Sequence, residues 1–208
     1  MEKFGRDYFY GKKRSNYTNY ESLHPASHFG SALKFIKKRN IKGKLLDVGC
    51  AFGYLLKEVS NKRLELYGCD ISKYAIEKAK TENPSAKLKI IDLDRDILPY
   101  PDSYFDCITA LDVLEHTKNF EKNFKKLSKK LKKGGFMIVR VPIDHWPRKL
   151  FGFFDKDRTH ISIHKEDEIM SWAKDNKMRV ISKKHIFPAP IFYDVPLIPA
   201  EIELILKK

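Results

Sequence analysis

The residues best suited to chemistry lie in the segment KLLDVGCAFGYLL, from Lys44 to Leu56. An apolar run leads through Asp47 to Gly49, and a helix-compatible segment follows Gly53, an order that predicts strand, tight turn and helix. The glycines suit a sharp turn or a close approach to a ligand because they lack Cβ. The pattern differs from the GxGxxG turn that binds pyrophosphate, since an acid precedes its first glycine. A carboxylate there would repel a diphosphate but accept hydrogen bonds from an ammonium group, so we expect a cationic amino acid derivative as ligand.

A second acid follows at the end of the next predicted strand, LELYGCD, from Leu64 to Asp70. Asp70 comes about 20 residues after the glycine turn, where an acid in a nucleoside-binding α/β fold accepts hydrogen bonds from ribose hydroxyls. The segment KLKIIDL, from Lys87 to Leu93, predicts a third strand that contains Asp92.

These motifs, taken together, resemble those of the class I S-adenosylmethionine (SAM) dependent methyltransferases, in particular the type 11, UbiE-like small-molecule enzymes. DVGCAFG resembles their first motif, DxGxGxG, with Cys50-Ala51 in place of the middle x-Gly. DLDRDILPYPDSYFD resembles the family segment D…LPFPDxSFD, and the tripeptide LEH after the fourth predicted strand is a further family feature. DRTHISIHKEDEI resembles a later family segment, so the similarity extends from Lys44 to Ile181.

The resemblance implies an α/β fold with a Rossmann-like seven-stranded sheet of order 3-2-1-4-5-7-6, the last strand antiparallel, with helices on both faces. It also implies S-adenosyl-L-methionine as cofactor and S-adenosyl-L-homocysteine as product. Asp92 would accept the exocyclic amine of adenine, with Leu93 against the ring, and Asp94 is a shifted alternative. The full set of cofactor-binding residues it implies is Asp47, Gly49, Cys50, Gly53, Asp70, Ile71, Asp92, Leu93 and Leu111.

Histidines are the first candidates for a catalytic base, which a hydroxyl acceptor would need. His116 and His160 rank highest, and Asp144 and His145 are further candidates, although a histidine in a loop is often structural. We expect the acceptor to bind between Asp112–His116 and the segment from Asp144 to His160, because both follow strands whose carboxyl ends meet at one crevice.

A metal site is the alternative use of the residues after the fourth strand. Asp112, Glu115 and His116 have i, i+3, i+4 spacing and would share one face of a helix. Two acids and an imidazole suit Mg, Mn or Zn. Ubiquinone-pathway and small-RNA 3′-end methyltransferases carry a similar ExxEH, but Asp112 replaces its first Glu and many metal-free relatives also read xLEH. We therefore expect no metal requirement.

The remaining chain predicts an arm and a closing unit around this core. Residues 1–40 form an N-terminal arm and cap helix, rich in tyrosine, and residues 41–208 form the methyltransferase domain. A lysine-rich helix is predicted from Lys118 to Lys133 and broken by Gly134-Gly135, followed by a strand from Phe136 to Pro142. A short helix from Glu166 to Asn176 and a strand pair, Met178–Phe187 and Glu201–Leu206, would close the fold around a proline-rich stretch, 188–199.

The composition of the chain limits the classes of protein to which it can belong. The chain has 208 residues, 42% hydrophobic residues and a net charge of +14. It contains no run of about 18 apolar residues and no secretory signal, and its three cysteines form no CxxC pair. We expect a cytoplasmic protein without a membrane span.

The function expected is methyl transfer to an O or N atom of a small-molecule or glycan-type acceptor. The basic charge and the Tyr- and Lys-rich arm leave two alternatives, an RNA methyltransferase and a SAM-binding protein without turnover. The charge also agrees with a general enrichment in lysine, which requires no nucleic-acid partner.

Overall fold

A computed structural model describes residues 4–11, 15, 17, 19–144, 157, 159–186 and 201–208. The proline-rich stretch, His145 and most of the segment before His160 lie outside these residues. Within the described part, no helix combines the length and apolarity that crossing a membrane demands. The helices are α1 Arg6–Phe9, α2 Pro25–His28, α3 Gly30–Lys38, α4 Tyr54–Val59, α5 Lys73–Glu82, α6 Phe120–Lys130 and α7 Glu166–Asp175, with 3₁₀ turns at Tyr20–Ser22 and Leu114–His116. The strands are β1 Gly43–Val48, β2 Leu64–Asp70, β3 Lys87–Ile90, β4 Phe105–Leu111, β5 Leu131–Pro142, β6 Arg179–Ile186 and β7 Glu201–Lys207.

The strands form one seven-stranded sheet of order β3-β2-β1-β4-β5-β7-β6. The first five strands run parallel, and β7 is antiparallel to both β5 and β6. The expected order and the antiparallel last strand are therefore confirmed. Because β1 lies between β2 and β4, the direction of winding reverses beside it, and this is where open α/β sheets bind ligands.

The alternation of side chains along each strand builds a core on both faces of the sheet. Leu46 of β1 packs into the layer covered by α6 and α7, whereas Leu45 packs into the layer covered by α3, α4 and α5. Both leucines have no exposed surface. This two-sided burial explains why the strands read as continuous apolar runs, and it holds their carboxyl ends rigidly beside one another.

Three predicted boundaries are wrong. The α6 helix ends at Lys130, and Gly134 and Gly135 do not break it but lie inside β5. There the pairing register with β4 shifts between Phe105 and Cys107, which indicates a bulge, and Gly134 has a φ of 83°. The third strand stops at Ile90, so Asp92 belongs to the following loop.

The N-terminal arm packs against the glycine turn of the core. Tyr8, Phe9 and Tyr20 are buried in a third hydrophobic cluster together with Phe52 of the turn and Ala75 of α5. The rings of Phe9–Phe52, Tyr20–Phe52 and Tyr20–Tyr54 are tilted, edge to face and stacked, with centroids 4.8, 5.0 and 5.8 Å apart. The arm is thus fixed to the segment that we expect to hold the ligand.

Candidate functional site

The glycine turn after β1 approaches the end of β4 so closely that only glycine fits. Gly49 has a φ of 68°, and a Cβ atom on it would lie 2.2 Å from Cγ2 of Val113. The N–H groups of Gly49 and Cys50 both donate to the carbonyl oxygen of Cys69, at 2.7 and 3.0 Å. The turn is therefore tied to β2 and leaves an open cradle at the carboxyl end of the sheet.

Asp47 presents a buried carboxyl group to this cradle. Its side chain is 5% exposed, and Oδ1 accepts a hydrogen bond of 2.6 Å from Oγ1 of Thr109. Burial raises the pKa of Asp47 to about 7, and the nearby carboxylate of Asp70 also raises it. A group with this pKa is ready to ionise when a cation comes beside it.

Asp70 ties the turn to the start of the next helix. Oδ2 accepts from the N–H of Ala51 at 2.9 Å, and Oδ1 accepts from the N–H of Ser72 at 2.8 Å. Burial raises the pKa of Asp70, whereas these backbone donors lower it. Each carboxylate oxygen has further lone pairs, so the group can still accept hydrogen bonds from a ligand hydroxyl.

The third acid is Asp92 rather than its neighbour Asp94. Both oxygens of Asp94 are used inside the protein, because they accept from Nδ2 of Asn123 and from the N–H of Lys118, each at 2.9 Å. Asp92 accepts one backbone hydrogen bond, from Asp94 itself, and its other oxygen lies 3.6 Å from Nε of the exposed Arg95. The structure thus favours Asp92 as the group available to a ligand.

Eight of the nine predicted cofactor residues line a single pocket at the carboxyl ends of the strands: Asp47, Gly49, Cys50, Asp70, Ile71, Asp92, Leu93 and Leu111. Gly53 is not among the residues that line it, so its assignment as a binding residue stays a prediction. Gly53 has a φ of 77°, and a Cβ atom there would lie 2.3 Å from Nδ2 of Asn83. Its role is to let α4 start close against α5.

The arm forms the opposite wall of the pocket. Phe4, Tyr8, Phe9, Tyr17 and Tyr20 all line it, together with His28 and Phe29 at the end of α2. The tyrosines of residues 1–40 predict an aromatic arm, but aromatic side chains alone do not say which face of the core they cover.

Asp112 is held by a buried ion pair and does not join Glu115 and His116. Nε of Arg140 donates to Oδ1 of Asp112 at 2.9 Å, and a second guanidinium nitrogen donates to the other oxygen. Arg140 is 4% exposed and also contacts His28, whose pKa is lowered to about 4 by burial and by this guanidinium. The charge within the apolar run FMIVRVP was the sequence signal for this pair, since a buried charge requires a partner.

Glu115, His116 and His160 come together instead. Oε1 of Glu115 lies 4.0 Å from Nε2 of His116 and 4.0 Å from Nε2 of His160. The segment from Leu114 to His116 is a 3₁₀ turn, so the helical face expected for the first set of residues does not form. His116 also lines the pocket, whereas His160 does not.

Hydrogen bonds connect this cluster to the arm. Nδ1 of His116 lies 2.8 Å from Oγ1 of Thr159, which donates to Oδ1 of Asp157. Oδ2 of Asp157 accepts from the hydroxyl of Tyr8 at 3.0 Å. His116 therefore belongs to a hydrogen-bond network that also contains Tyr8 of the arm.

The pocket fits S-adenosylmethionine. Its carboxyl groups can accept hydrogen bonds from the ammonium group, the ribose hydroxyls and the adenine amine of that molecule. The turn has no Cβ atom at Gly49, so a ligand can approach it closely. Asp47 would hold the ammonium group, Asp70 the ribose hydroxyls and Asp92 the adenine amine, with Ile71 and Leu93 as apolar contacts for the ring.

Comparisons with known proteins agree with this geometry. A family described as "Methyltransferase domain" matches residues 24–183. A ubiquinone biosynthesis O-methyltransferase from Coxiella burnetii is 33% identical over 107 residues, which cover 50% of this chain and 46% of the relative. A chloroplastic 2-methyl-6-phytyl-1,4-hydroquinone methyltransferase from Arabidopsis thaliana is 26% identical over 149 residues, which cover 70% of this chain and 43% of the relative. The chain thus spans less than half the length of these two relatives.

Among solved structures, magnesium protoporphyrin IX methyltransferase from Synechocystis PCC 6803 with bound S-adenosylhomocysteine superposes with a TM-score of 0.67. It shares 19% sequence identity, and the match covers 88% of this chain and 82% of that one. This likeness shows the same fold. Because the family match covers most of the sequence and the sheet order is that of the fold, the chain belongs to the class I S-adenosylmethionine-dependent methyltransferases.

Proposed function

We propose that this protein transfers the methyl group of S-adenosylmethionine to an O or N atom of a small-molecule or glycan-type acceptor. The observation that carries the proposal is the pocket itself, with three acids at the ends of neighbouring strands on one wall and the aromatic arm on the other. When bound, the cofactor supplies a methyl group on a positively charged sulfur, which needs no further activation. The protein's task is then to hold donor and acceptor at attack distance.

The acceptor would enter beside the end of β4. Val113, His116 and Thr117 line this side of the pocket, and the arm residues Phe4 and Tyr8 face them. Rings and short polar groups together suit a small acceptor with an apolar body. The segment from Asp144 to His160 is proposed as the other side of this site, and its residues 145–156 lie outside the described part.

Relatives support a small acceptor by their printed names, which include enzymes of ubiquinone and hydroquinone methylation. The rival acceptor is RNA, which the net charge of +14 would attract. A pocket with an aromatic arm along one wall favours the small molecule. A SAM-binding protein without turnover would share this pocket and differ only in the outcome of a transfer assay.

The test is transfer of radiolabelled methyl groups to fractions of a cell extract, run with and without nuclease. We expect label in a low-molecular-weight fraction that resists nuclease and changes little between 50 and 200 mM salt. Label that is lost with nuclease, with binding that falls about a thousandfold or more over that salt range, would favour RNA. Cofactor binding without label in any fraction would indicate the protein without turnover.

A further inference from the structure

We propose that Glu115, His116 and His160 form a binding site for one divalent cation of the Zn²⁺, Mn²⁺ or Co²⁺ class. The three side chains offer one carboxylate oxygen and two imidazole nitrogens, and these atoms all lie within 4.8 Å of one another. Mixed nitrogen and oxygen ligands suit these ions better than Ca²⁺ or Mg²⁺, which prefer oxygen alone.

The distances are close to those around a shared ion. Zinc in a tetrahedral site binds imidazole nitrogen and carboxylate oxygen at about 2.0–2.2 Å, so two ligands of one ion lie about 3.3–3.6 Å apart. The oxygen of Glu115 is 4.0 Å from each imidazole nitrogen, so side-chain shifts of about half an ångström would bring the three ligands to that spacing. The rings of His116 and His160 are tilted by 48° with centroids 4.8 Å apart, an arrangement in which both Nε2 atoms can face the same oxygen.

The second, independent observation is the state of the Glu115 side chain. It is 1% exposed, and neither of its carboxylate oxygens has a hydrogen-bond partner in the described part of the chain. A buried carboxylate without donors is costly, and proteins normally pair such a group or let it bind a metal. A cation between Glu115 and the two histidines would remove this cost.

The backbone holds the ligands in place without the ion. The carbonyl oxygen of Glu115 accepts from the N–H groups of Ile161 and Ser162, at 2.9 and 3.0 Å, and this brings His160 to Glu115 across 45 residues of sequence. The hydrogen bond between Thr159 and Nδ1 of His116 orients the ring, with Nε2 on the side of Glu115. Such outer contacts are typical of metal-binding histidines.

The ligands considered from the sequence were Asp112, Glu115 and His116, and no metal was expected there. In the structure, the carboxylate of Asp112 pairs with Arg140, and His160 lies beside Glu115 instead. Because His116 also lines the pocket, an ion here would lie beside the acceptor side. This last step rests on the proposed function, and it favours an acceptor with a hydroxyl group that the ion would bind.

The experiment is a titration of EDTA-treated, dialysed protein with Co²⁺, Mn²⁺ and Zn²⁺, without SAM or acceptor. We expect one ion per chain, visible absorption bands from bound Co²⁺ and a rise in the thermal midpoint. The variants Glu115→Gln and His160→Gln should weaken Co²⁺ binding about tenfold or more. His185→Gln is the matched control, since His185 pairs with Glu166, which Lys183 also contacts, and is not part of the cluster. It should bind Co²⁺ like the wild type.

Folding of each variant is checked by its thermal midpoint and by SAM affinity in the absence of metal, which should stay within about threefold of wild type. No saturable binding of any of the three ions by the wild type would overturn the inference, as would equal Co²⁺ affinity in wild type and Glu115→Gln. If the ions do not bind but labelled methyl is transferred, the proposed function stands and this inference fails. If they bind at the site but no fraction is labelled, the site stands and the proposed function fails.

Discussion

At the scale of single residues, Asp47 carries opposite consequences for stability and for binding. Its carboxyl group is buried at the pocket with a pKa of about 7, against an ordinary value near 4. Between these values the native state binds more protons than the unfolded state, so the free energy of unfolding contributed by this group falls as pH rises from about 4 to 7. Ionising Asp47 therefore lowers the stability of the ligand-free protein, although the ionised form is the one that would hold an ammonium group.

We predict that Asp47→Asn raises the stability of the ligand-free protein at pH 8 by roughly 1–4 kcal/mol and has little effect at pH 4. The same variant should bind SAM more weakly, because it lacks the negative charge. Urea unfolding at both pH values and calorimetry with SAM measure the two effects. A variant that is less stable than wild type at pH 8 would contradict the raised pKa.

At the scale of elements, the arm closes the pocket through ring contacts with the glycine turn. Tyr20 is 5% exposed and contacts Phe52 and Tyr54, with centroids 5.0 and 5.8 Å away. A ligand beneath these rings leaves only when the contacts open. The arm should thus govern the rate of release more than the rate of binding.

We predict that Tyr20→Ala speeds SAM dissociation about tenfold or more and changes the association rate less, as interface truncations generally do. Phe35→Ala is the control, because Phe35 packs on Phe136 on the outer side of α3 and does not line the pocket. Stopped-flow fluorescence gives both rates. An unchanged dissociation rate in Tyr20→Ala would show that the arm does not close over the ligand.

The end of β4 is connected to β5 and α2 through Arg140. We predict that Arg140→Met destabilises the protein by about 3–5 kcal/mol, because it leaves Asp112 as a partly buried charge without its partner. Asp112→Asn in the same chain should restore part of that loss, giving a coupling energy of roughly 1–3 kcal/mol. Urea unfolding of the two single variants and the double variant measures it, and strictly additive effects would rule out the pair.

The elements also show which parts of the site the sequence could predict. The acids Asp47 and Asp70 lie at the carboxyl ends of the apolar strands β1 and β2, so parallel pairing alone brings them to one edge. The meeting of His160 with Glu115 depends on backbone hydrogen bonds between distant segments, which leave no periodic signal. The helix break predicted at Gly134 is wrong for a related reason. A glycine pair indicates a break in regular structure but does not show whether a helix or a strand contains it.

At the scale of the whole molecule, the charge of the pocket differs in sign from the net charge of the chain. The chain has a net charge of +14, yet the pocket is lined by the acids Asp47, Asp70, Asp92, Asp94 and Asp112. The two ends of the sheet also differ, because Asp106 near the start of β4 accepts hydrogen bonds from the N–H of Lys44 and from Nζ of Lys132. Asp47, Asp70 and Asp92 at the carboxyl ends line the pocket, whereas Asp106 does not line it and serves the fold.

The contrast between Asp70 and Asp106 allows a direct test of whether SAM binds at the carboxyl ends of β1 and β2. The measurement is calorimetric titration of SAM into wild type, Asp70→Ala and Asp106→Ala. We predict one site in the wild type, a loss of roughly 1–3 kcal/mol in Asp70→Ala because charged hydrogen bonds to the ribose are removed, and wild-type affinity in Asp106→Ala. Equal SAM affinity in Asp70→Ala and wild type, with both proteins folded, would contradict the account.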